Sequence, residues 1–225
     1  IVNAQSGRFN LYLTNEAFLE DCQLFDVNLY GVIDLQANEF FGTTINHGTM
    51  RNDYYTYTID FYGDLINHGT IQNYVNTFIL KAHADITNNG TWSNYYTLMA
   101  GTSDQYIHLN NGHWINGQMR ILSDISGPWY QWYWNGGAIV SNWPNPDNFS
   151  GYTSNTLQFN DPVAGNRLGT YNCNVGGVYS RNIIVNETST MRLDVKVLLE
   201  GPFNGTEMNT VINPLIPLQN SLAII

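Results

Sequence analysis

A phrase built around asparagine and glycine returns four times in the first half of this chain. The copies are INHGTMRN (45–52), INHGTIQN (66–73), ITNNGTWSN (86–94) and LNNGHWIN (109–116). The leading asparagines are Asn46, Asn67, Asn88 and Asn110, and their successive spacings are 21, 21 and 22. A glycine follows each of them two positions later, and a second asparagine follows six positions later. Columns in register over four copies indicate a repeat protein, which limits the fold to architectures built from stacked units.

A period of this length is typical of one coil of a parallel β-helix. Leucine-rich repeats share the period but need a ladder of leucines, which the copies lack, and Asn, Gly and Thr are poor helix formers. Coils stack about 4.8 Å apart, so asparagines in one column can hydrogen-bond along it. We therefore predict an all-β chain with a parallel β-helix over residues 1–118, in which the leading asparagines form a structural ladder.

Side chains alternate between the two sides of a strand, and this alternation predicts the core of the solenoid. The residues four after each leading asparagine should point inward, and they are Met50, Ile71, Trp92 and Trp114. A second column, predicted to point largely inward, contains Ile45, Ile66, Thr87 and Leu109.

The repeated phrase resembles the coils of filamentous-haemagglutinin-like bacterial adhesins, which carry a similar Ile-Asn-x-Gly-Thr-Ile motif. The resemblance covers roughly residues 25–118. It implies a β-helix and a surface protein of the adhesin type. β-Helices also host polysaccharide lyases and other glycan enzymes, so the resemblance alone leaves both function classes open.

The repeat stops after Gly117, and the sequence predicts an immunoglobulin-like β-sandwich over residues 119–190. Trp132, in the phrase YQWYWNG, has the place of the core tryptophan of an immunoglobulin strand C, and Tyr171 lies two residues before Cys173, the spacing of a tyrosine corner. No cysteine lies near residues 118–122, so the sandwich would lack the usual disulfide. We expect Cys173 and the distant Cys22 to be unpaired.

The same phrases resemble modules of surface proteins from the Bacteroidetes. The segment MRLDVKVLLEGPFNGTEMNT (191–210) is similar to a stretch that opens a further β-domain in proteins of the type IX secretion pathway. The resemblance implies a secreted or cell-surface location, and residues 191–225 are expected to be the start of a further β-domain or a C-terminal tail. Residues 1–5, IVNAQ, fit either the end of a signal peptide or a first strand.

Net charge and the length of the apolar runs argue against two classes of partner. The net charge is −10 and only eight residues are Lys or Arg, so the surface would repel the phosphates of nucleic acids. No apolar run approaches the roughly 20 residues that a membrane-spanning helix needs. We expect neither nucleic-acid binding nor membrane insertion. The expected partners are further domains of the same polypeptide, another surface or outer-membrane protein, or a polysaccharide.

Titratable residues form only two equivalent pairs in the repeat. His47 and His68 share a column, and so do Asp64 and Asp85. The aspartates could bind Ca²⁺ or act as a retaining-glycosidase pair. Solvated turn aspartates and polar corner histidines are the simpler interpretation, because both columns lapse in the next coils. We predict no catalytic residues and no metal site, and Ca²⁺ is the one cofactor left open.

Aromatic side chains are the stronger lead, since exposed rings stack on sugars and anchor interfaces. The candidate glycan- or partner-binding residues are Tyr54, Tyr55, Tyr96, Trp129, Trp134 and Trp143. We therefore predict a non-catalytic, adhesin-like module of a secreted bacterial surface protein. The alternative is a carbohydrate-active β-helix protein, either a polysaccharide lyase or glycosidase or a glycan-binding module.

Overall fold

The computed structural model describes residues 8–13, 17–52, 56–74, 77–110, 115, 118–140, 149–160 and 168–188. Within these ranges the chain forms strands, turns and bends and has no helix. The strands of the first part are β1 (Phe9–Tyr12), β2 (Ala17–Glu20), β3 (Gln23–Tyr30), β4 (Val32–Gln36), β5 (Glu39–Asn46), β6 (Thr49–Asn52), β7 (Thr58–Phe61), β8 (Leu65–Asn67), β9 (Thr70–Gln72), β10 (Ile79–Ala82), β11 (Ile86–Asn88), β12 (Thr91–Ser93), β13 (Tyr96–Met99) and β14 (Gln105–Asn110). The later strands are β15 (Gln118–Leu122), β16 (Tyr130–Trp134), β17 (Gly137–Ala138), β18 (Phe149–Ser150), β19 (Thr156–Phe159), β20 (Gly169–Val175), β21 (Val178–Tyr179) and β22 (Ile183–Thr188).

The first part of the chain winds into a parallel β-solenoid with three faces. The first face stacks the start of β3, the start of β5, and then β7, β10, β13 and β15. The second face stacks β1, the ends of β3 and β5, and then β8, β11 and β14. The third face stacks β2, β4, β6, β9 and β12. This architecture, with about five turns, confirms the predicted all-β fold and parallel β-helix.

Register between coils follows the repeat and builds the core. Asn46 pairs with Asn67 and Asn67 with Asn88, so equivalent residues lie above one another. On the third face, Met50, Ile71 and Trp92 align in the same way and are all fully buried, as predicted. Trp114 lies outside the described residues, and Ile115 is the residue that bridges to Trp92.

The glycine column is explained by close approach between coils. A Cβ on Gly69 would lie 2.0 Å from the carbonyl oxygen of Gly48, and one on Gly90 would lie 2.1 Å from that of Gly69. A side chain at these positions would collide with the backbone of the coil before it. Gly31, which precedes Gly48 in this stack, has a φ of 92°, in the left-handed region.

The asparagine ladder differs from its prediction at the fourth coil. Asn88 pairs with Leu109, and the side chain of Asn110 instead donates to Asn89 Oδ1 at 2.7 Å. The reason is that paired residues on this face keep one constant offset in sequence from β5 to β14, and Asn110 comes one position too late to match it. The ladder therefore contains three asparagines, and Asn110 belongs to the neighbouring column.

The inward column on the second face also differs from its prediction. The asparagines themselves point into the core and are fully buried, together with Leu65 and Ile86. Alternation then places Ile45 and Ile66 on the outer side, where they are half-exposed. Leu109 is buried because it occupies the asparagine column.

Hydrogen-bonded strands continue past residue 118. β15 extends the first face beside β13, and β22 extends the second face beside β14. Residues 123–182 are therefore inserted between the first two faces of a further coil. Strand pairing thus crosses the predicted boundary at residue 118, and the immunoglobulin-like sandwich is not confirmed. Residues 191–225 lie outside the described residues.

Candidate binding face

The predicted aromatic residues lie in different environments. Trp129 is 78% exposed, whereas Trp134 is half-buried and stacks on Tyr171 with ring centroids 6.3 Å apart. Tyr96 is half-buried, and the guanidinium of Arg120 lies 4.0 Å from its ring centroid. Tyr54, Tyr55 and Trp143 lie outside the described residues. The structure thus brings no described pair of these candidates together, and it gives Trp134 a packing role.

Two antiparallel strands of the insertion place their large apolar residues on one side. In β16 and β20, Trp132 lies opposite Cys173, and the two are 1% and 0% exposed. Burial raises the pKa of the Cys173 thiol to about 11, so the thiol stays protonated at neutral pH. This side of the two strands forms the core of the insertion.

The other side of the same strands carries aromatic and amide side chains. We name it the hairpin face, and it consists of Gln131, Tyr133, Asn172, Asn174 and Tyr179. Tyr133 lies opposite Asn172, and Asn174 lies opposite Tyr179 on β21. The rings of Tyr133 and Tyr179 meet edge-on, with centroids 5.7 Å apart. Tyr179 is 56% exposed, so part of this face is open to solvent.

The amides of the hairpin face are held in place by hydrogen bonds. Gln131 Nε2 donates to the carbonyl oxygens of Trp132 and Ile139 at 2.9 and 2.8 Å. Asn174 Oδ1 accepts from the Gly177 backbone at 2.9 Å, and Asn172 Nδ2 donates to Asn182 Oδ1 at 3.1 Å. A face whose polar groups are already oriented loses little side-chain entropy on binding.

The chemistry of the hairpin face suits a neutral, polar ligand. Its five side chains carry no formal charge, and partial burial followed by the neighbouring Tyr179 raises the pKa of Tyr133, which keeps that phenol neutral. Aromatic rings pack against the C–H faces of sugars or against apolar side chains, while amides and phenols hydrogen-bond to hydroxyls. None of these five residues is among the six candidates named from the sequence, because only the pairing of β16, β20 and β21 brings them together.

Two columns of stacked rings run along the outside of the solenoid. One contains Phe25, Phe41, Tyr62 and His83, with centroids 4.5 to 4.9 Å apart. The other contains Tyr12, Tyr30, His47 and His68, with centroids 4.5 to 5.3 Å apart. Stacking covers ring faces with neighbouring rings, so these columns offer edges to a ligand and contribute mainly to coil-to-coil packing.

The aspartates of the corners bond to the backbone of the following coil. Their oxygens accept from backbone N–H groups at 2.7 to 3.2 Å, in the pairs Asp26 with Thr43, Asp64 with Asp85, Asp85 with Tyr106, and Asp104 with Asn182. Asp64 and Asp85, the predicted candidates for calcium or glycosidase chemistry, therefore connect one coil to the next. Within the described ranges, no group of three or more His, Cys, Asp or Glu residues is placed to hold a metal ion.

Comparison with known proteins gives no family for this chain. No protein-family model matches it, and no curated protein matches its sequence. The part of the chain that the structure describes has no helix long and apolar enough to span a membrane.

Proposed function

We propose that this chain is a non-catalytic binding module of a secreted or cell-surface protein of the bacterial adhesin type. The solenoid is the rigid support, and the insertion carries the binding surface. The observation that carries the proposal is the hairpin face, where oriented amides surround the partly exposed rings of Tyr133 and Tyr179. Neutral polysaccharides are the ligand class that this chemistry favours.

The interior of the solenoid supports the role of a rigid spacer. Its core contains large side chains that are fully buried, among them Phe40, Phe61 and Trp92. Continuous parallel pairing connects one coil to the next, and each coil contacts its neighbours along the axis. Such a stack holds a binding surface at a fixed distance from whatever the chain is attached to.

The contacts of the paired aspartates and histidines support a non-catalytic role. Catalysis needs a base or nucleophile, an orienting group and charge stabilisation that converge on one pocket. Here Asp64 and Asp85 accept backbone N–H groups, and His68 stacks on His47. Each group thus has a structural partner along the solenoid axis.

The immunoglobulin-like identity of the insertion is part of the proposal. It is supported by Trp132, which lies buried opposite Cys173, and by Tyr171, which is fully buried two residues earlier on the same strand. The proposal also includes attachment to further domains or to another surface protein.

A glycan-binding assay tests the proposed function. Purified protein would be applied to a panel of neutral and acidic polysaccharides, together with a Tyr133→Ala/Tyr179→Ala variant. The matched control is Tyr95→Ala, which removes a 46% exposed tyrosine from the solenoid. We expect the double variant to lose binding at least tenfold and the control to keep it. Equal binding by all three proteins would contradict the role of the hairpin face.

The same panel tests the enzymatic alternative. Reducing ends or unsaturated products released over time would indicate turnover. Turnover that disappears in Asp64→Asn or His68→Ala would overturn the non-catalytic proposal, whereas binding without product formation supports it.

A further inference from the structure

A second surface feature lies where the insertion joins the first face of the solenoid. It is a shallow cleft of about 290 Å³ lined by Arg120, Ser150, Gly151, Thr156 and Gln158. Arg120 on β15 lies opposite Gln158 on β19, which in turn lies opposite Ser150 on β18. Three neighbouring strands therefore bring one polar residue each to the same row.

Gly151 keeps part of this cleft open. Its φ of 73° is in the left-handed region, and a Cβ there would lie 2.2 Å from the carbonyl oxygen of Thr156. A larger residue would therefore strain the turn and fill the space beside Thr156. The shape of the cleft depends on this glycine.

The guanidinium of Arg120 is held in one position. It lies over the ring of Tyr96, 4.0 Å from the centroid, and its Nη2 donates to Gln118 Oε1 at 3.2 Å. Its Nε is buried and has no hydrogen-bond partner among the described residues. Because Nε is enclosed, the terminal nitrogens of the guanidinium are the donors that a ligand in the cleft would meet.

The other polar groups of the cleft are also oriented. Gln158 Nε2 and Ser150 Oγ both donate to Asn160 Oδ1 at 3.0 Å. None of the five lining residues is acidic, so the only formal charge in the lining is the positive charge of Arg120. The lining therefore favours a ligand that combines an anionic group with hydroxyls.

We propose that this cleft binds the carboxylate of an acidic sugar unit, such as a uronate residue of a polysaccharide. The planar guanidinium matches a carboxylate, and the hydroxyl and amide groups of the lining match sugar hydroxyls. The volume lies just below the usual range of small-molecule sites, which fits one sugar unit. The ligand class rests on the proposed glycan-binding function, but the site is separate from the hairpin face.

The ligand test compares three probes that share parts of this chemistry. Galacturonate has the carboxylate and the sugar ring, galactose has the ring alone, and acetate has the carboxylate alone. Titration of the whole chain, followed by ligand-observed NMR or calorimetry, should show that galacturonate binds at least tenfold more tightly than either of the others. Acetate that binds as tightly as galacturonate would overturn the assignment to a sugar, and galactose that does so would overturn the role of the carboxylate.

Variants locate the site. Arg120→Gln should weaken galacturonate binding at least tenfold, and Gln158→Ala should weaken it less. Tyr12→Ala, which removes a 65% exposed ring on β1 outside both proposed sites, should leave it unchanged. Should Arg120→Gln lower the melting temperature, Gln158→Ala still reports on the cleft. Unchanged galacturonate binding in both cleft variants overturns this inference alone. Loss of polysaccharide binding only in hairpin-face variants leaves the proposed function standing.

Discussion

Asn67 lies in the middle of a chain of buried amides and shows how one residue type can repeat in a core. Its Nδ2 donates to Asn88 Oδ1 at 2.8 Å, and its Oδ1 accepts from Asn46 Nδ2 at 2.8 Å and from the Gly69 backbone at 3.2 Å. All three asparagines are fully buried. A buried amide is tolerated when its donors and acceptor are paired, and here the neighbouring coils provide the partners.

Replacing Asn67 by leucine should destabilise the protein strongly. The variant removes the hydrogen bonds that Asn67 makes with Asn46 Nδ2, the Gly69 N–H, Asn88 Oδ1 and the carbonyl oxygen of Thr91, and each such bond contributes about 0.5–1.5 kcal/mol. We expect a loss of about 2–5 kcal/mol in the free energy of unfolding, measured by urea denaturation. Asn110→Ala is the control, because that half-buried side chain lies outside the ladder. Equal losses in both variants would contradict the ladder as a source of stability.

The two cysteines should differ in reactivity. Cys22 is half-buried, whereas Cys173 is fully buried with a thiol pKa raised to about 11 by burial. Because the thiolate is the reactive form, Ellman's reagent at pH 8 should label one thiol quickly and the second only after unfolding. A Cys22→Ser variant should then show no fast phase. Two thiols that react at the same rate in the native protein would contradict the buried position of Cys173.

At the residue scale, the sequence did not reveal the direction in which each repeated side chain points, or the column to which each repeated residue belongs. The columns of asparagine and of Met50, Ile71 and Trp92 could be read from spacing alone. The spacing does not reveal that the asparagines point inward, because amides are usually placed at corners and their burial depends on partners in other coils. The longer spacing before Asn110 was the visible sign that this residue leaves the column.

At the scale of elements, the coils change length at their corners while the strands keep register. Ile79 on β10 pairs with Tyr96 on β13, whereas Ile86 on β11 pairs with Ile107 on β14, so the sequence offset between partners is smaller on the first face. Measured between aligned residues, the connection from the first to the second face lengthens from Ala82–Ile86 to Met99–Ile107, which restores the offset of the second face. Corners face solvent and tolerate such changes, whereas stacked strands fix the core. Corner lengths were therefore not predictable from the repeat.

Arg181 closes the coil where the insertion returns to the solenoid. Its side chain is buried and donates to the carbonyl oxygens of Leu122 and Met99 at 2.8 and 3.1 Å and to Gln105 Oε1 at 3.1 Å. Asp124 lies 3.5 Å from the guanidinium and provides its counter-charge. One side chain thus connects the end of β15, the end of β13 and the start of β14.

Arg181→Met should be among the most destabilising single substitutions. It removes the side-chain donor of the buried carbonyl groups and the counter-charge of Asp124, which keeps only the backbone N–H of residue 181, and breaking a buried ion pair costs about 3–5 kcal/mol. Chemical denaturation would measure the loss. The control is Arg8→Met, which changes an exposed arginine at the other end of the solenoid. A difference below about 1 kcal/mol between the two variants would mean that Arg181 does not hold the insertion in place.

The column of rings that contains His47 and His68 should make the stability of the fold depend on pH. Burial, followed by the charge of His68, lowers the pKa of His47, so the unfolded chain binds a proton at this residue more readily than the folded one. His47 therefore destabilises the fold as the pH falls through about 6.5. His47→Tyr, which continues the stack of Tyr12 and Tyr30, should lose less melting temperature between pH 7.5 and 5.5 than the wild type. An equal loss in both proteins would contradict this contribution.

For the whole molecule, the insertion acts as a cap on one end of the solenoid. β19 pairs antiparallel with β15, and β20 pairs antiparallel with β22, so the last strands of the first two faces have partners on both sides. Open strand edges promote association, and solenoids generally need terminal caps. The sequence placed Trp132 and Cys173 in one predicted sandwich, but it did not predict that β22 rejoins the solenoid. β22 lacks the Asn-Gly phrase, and it pairs with β14 from the far side of the insertion.

Removing the cap should cause the protein to self-associate. In a variant whose residues 124–180 are replaced by a short corner of Gly and Ser, β15 and β22 lose their antiparallel partners while the coils before them keep their core. We expect this variant to keep its β-sheet circular dichroism and to form larger species by light scattering after size exclusion, because edge strands pair between molecules.

A matched variant separates edge pairing from general instability. Adding Leu122→Lys and Ile184→Lys to the shortened chain places charges on the outer side of both new edges, where these two residues are half-buried. Charged residues on an edge oppose pairing with a second chain, so the shortened and charged variant should return toward the monomeric mass while unfolding at a similar temperature. If association persists unchanged, it is caused by exposed core residues rather than by the strand edges. The insertion would then be needed for folding and not only as a cap.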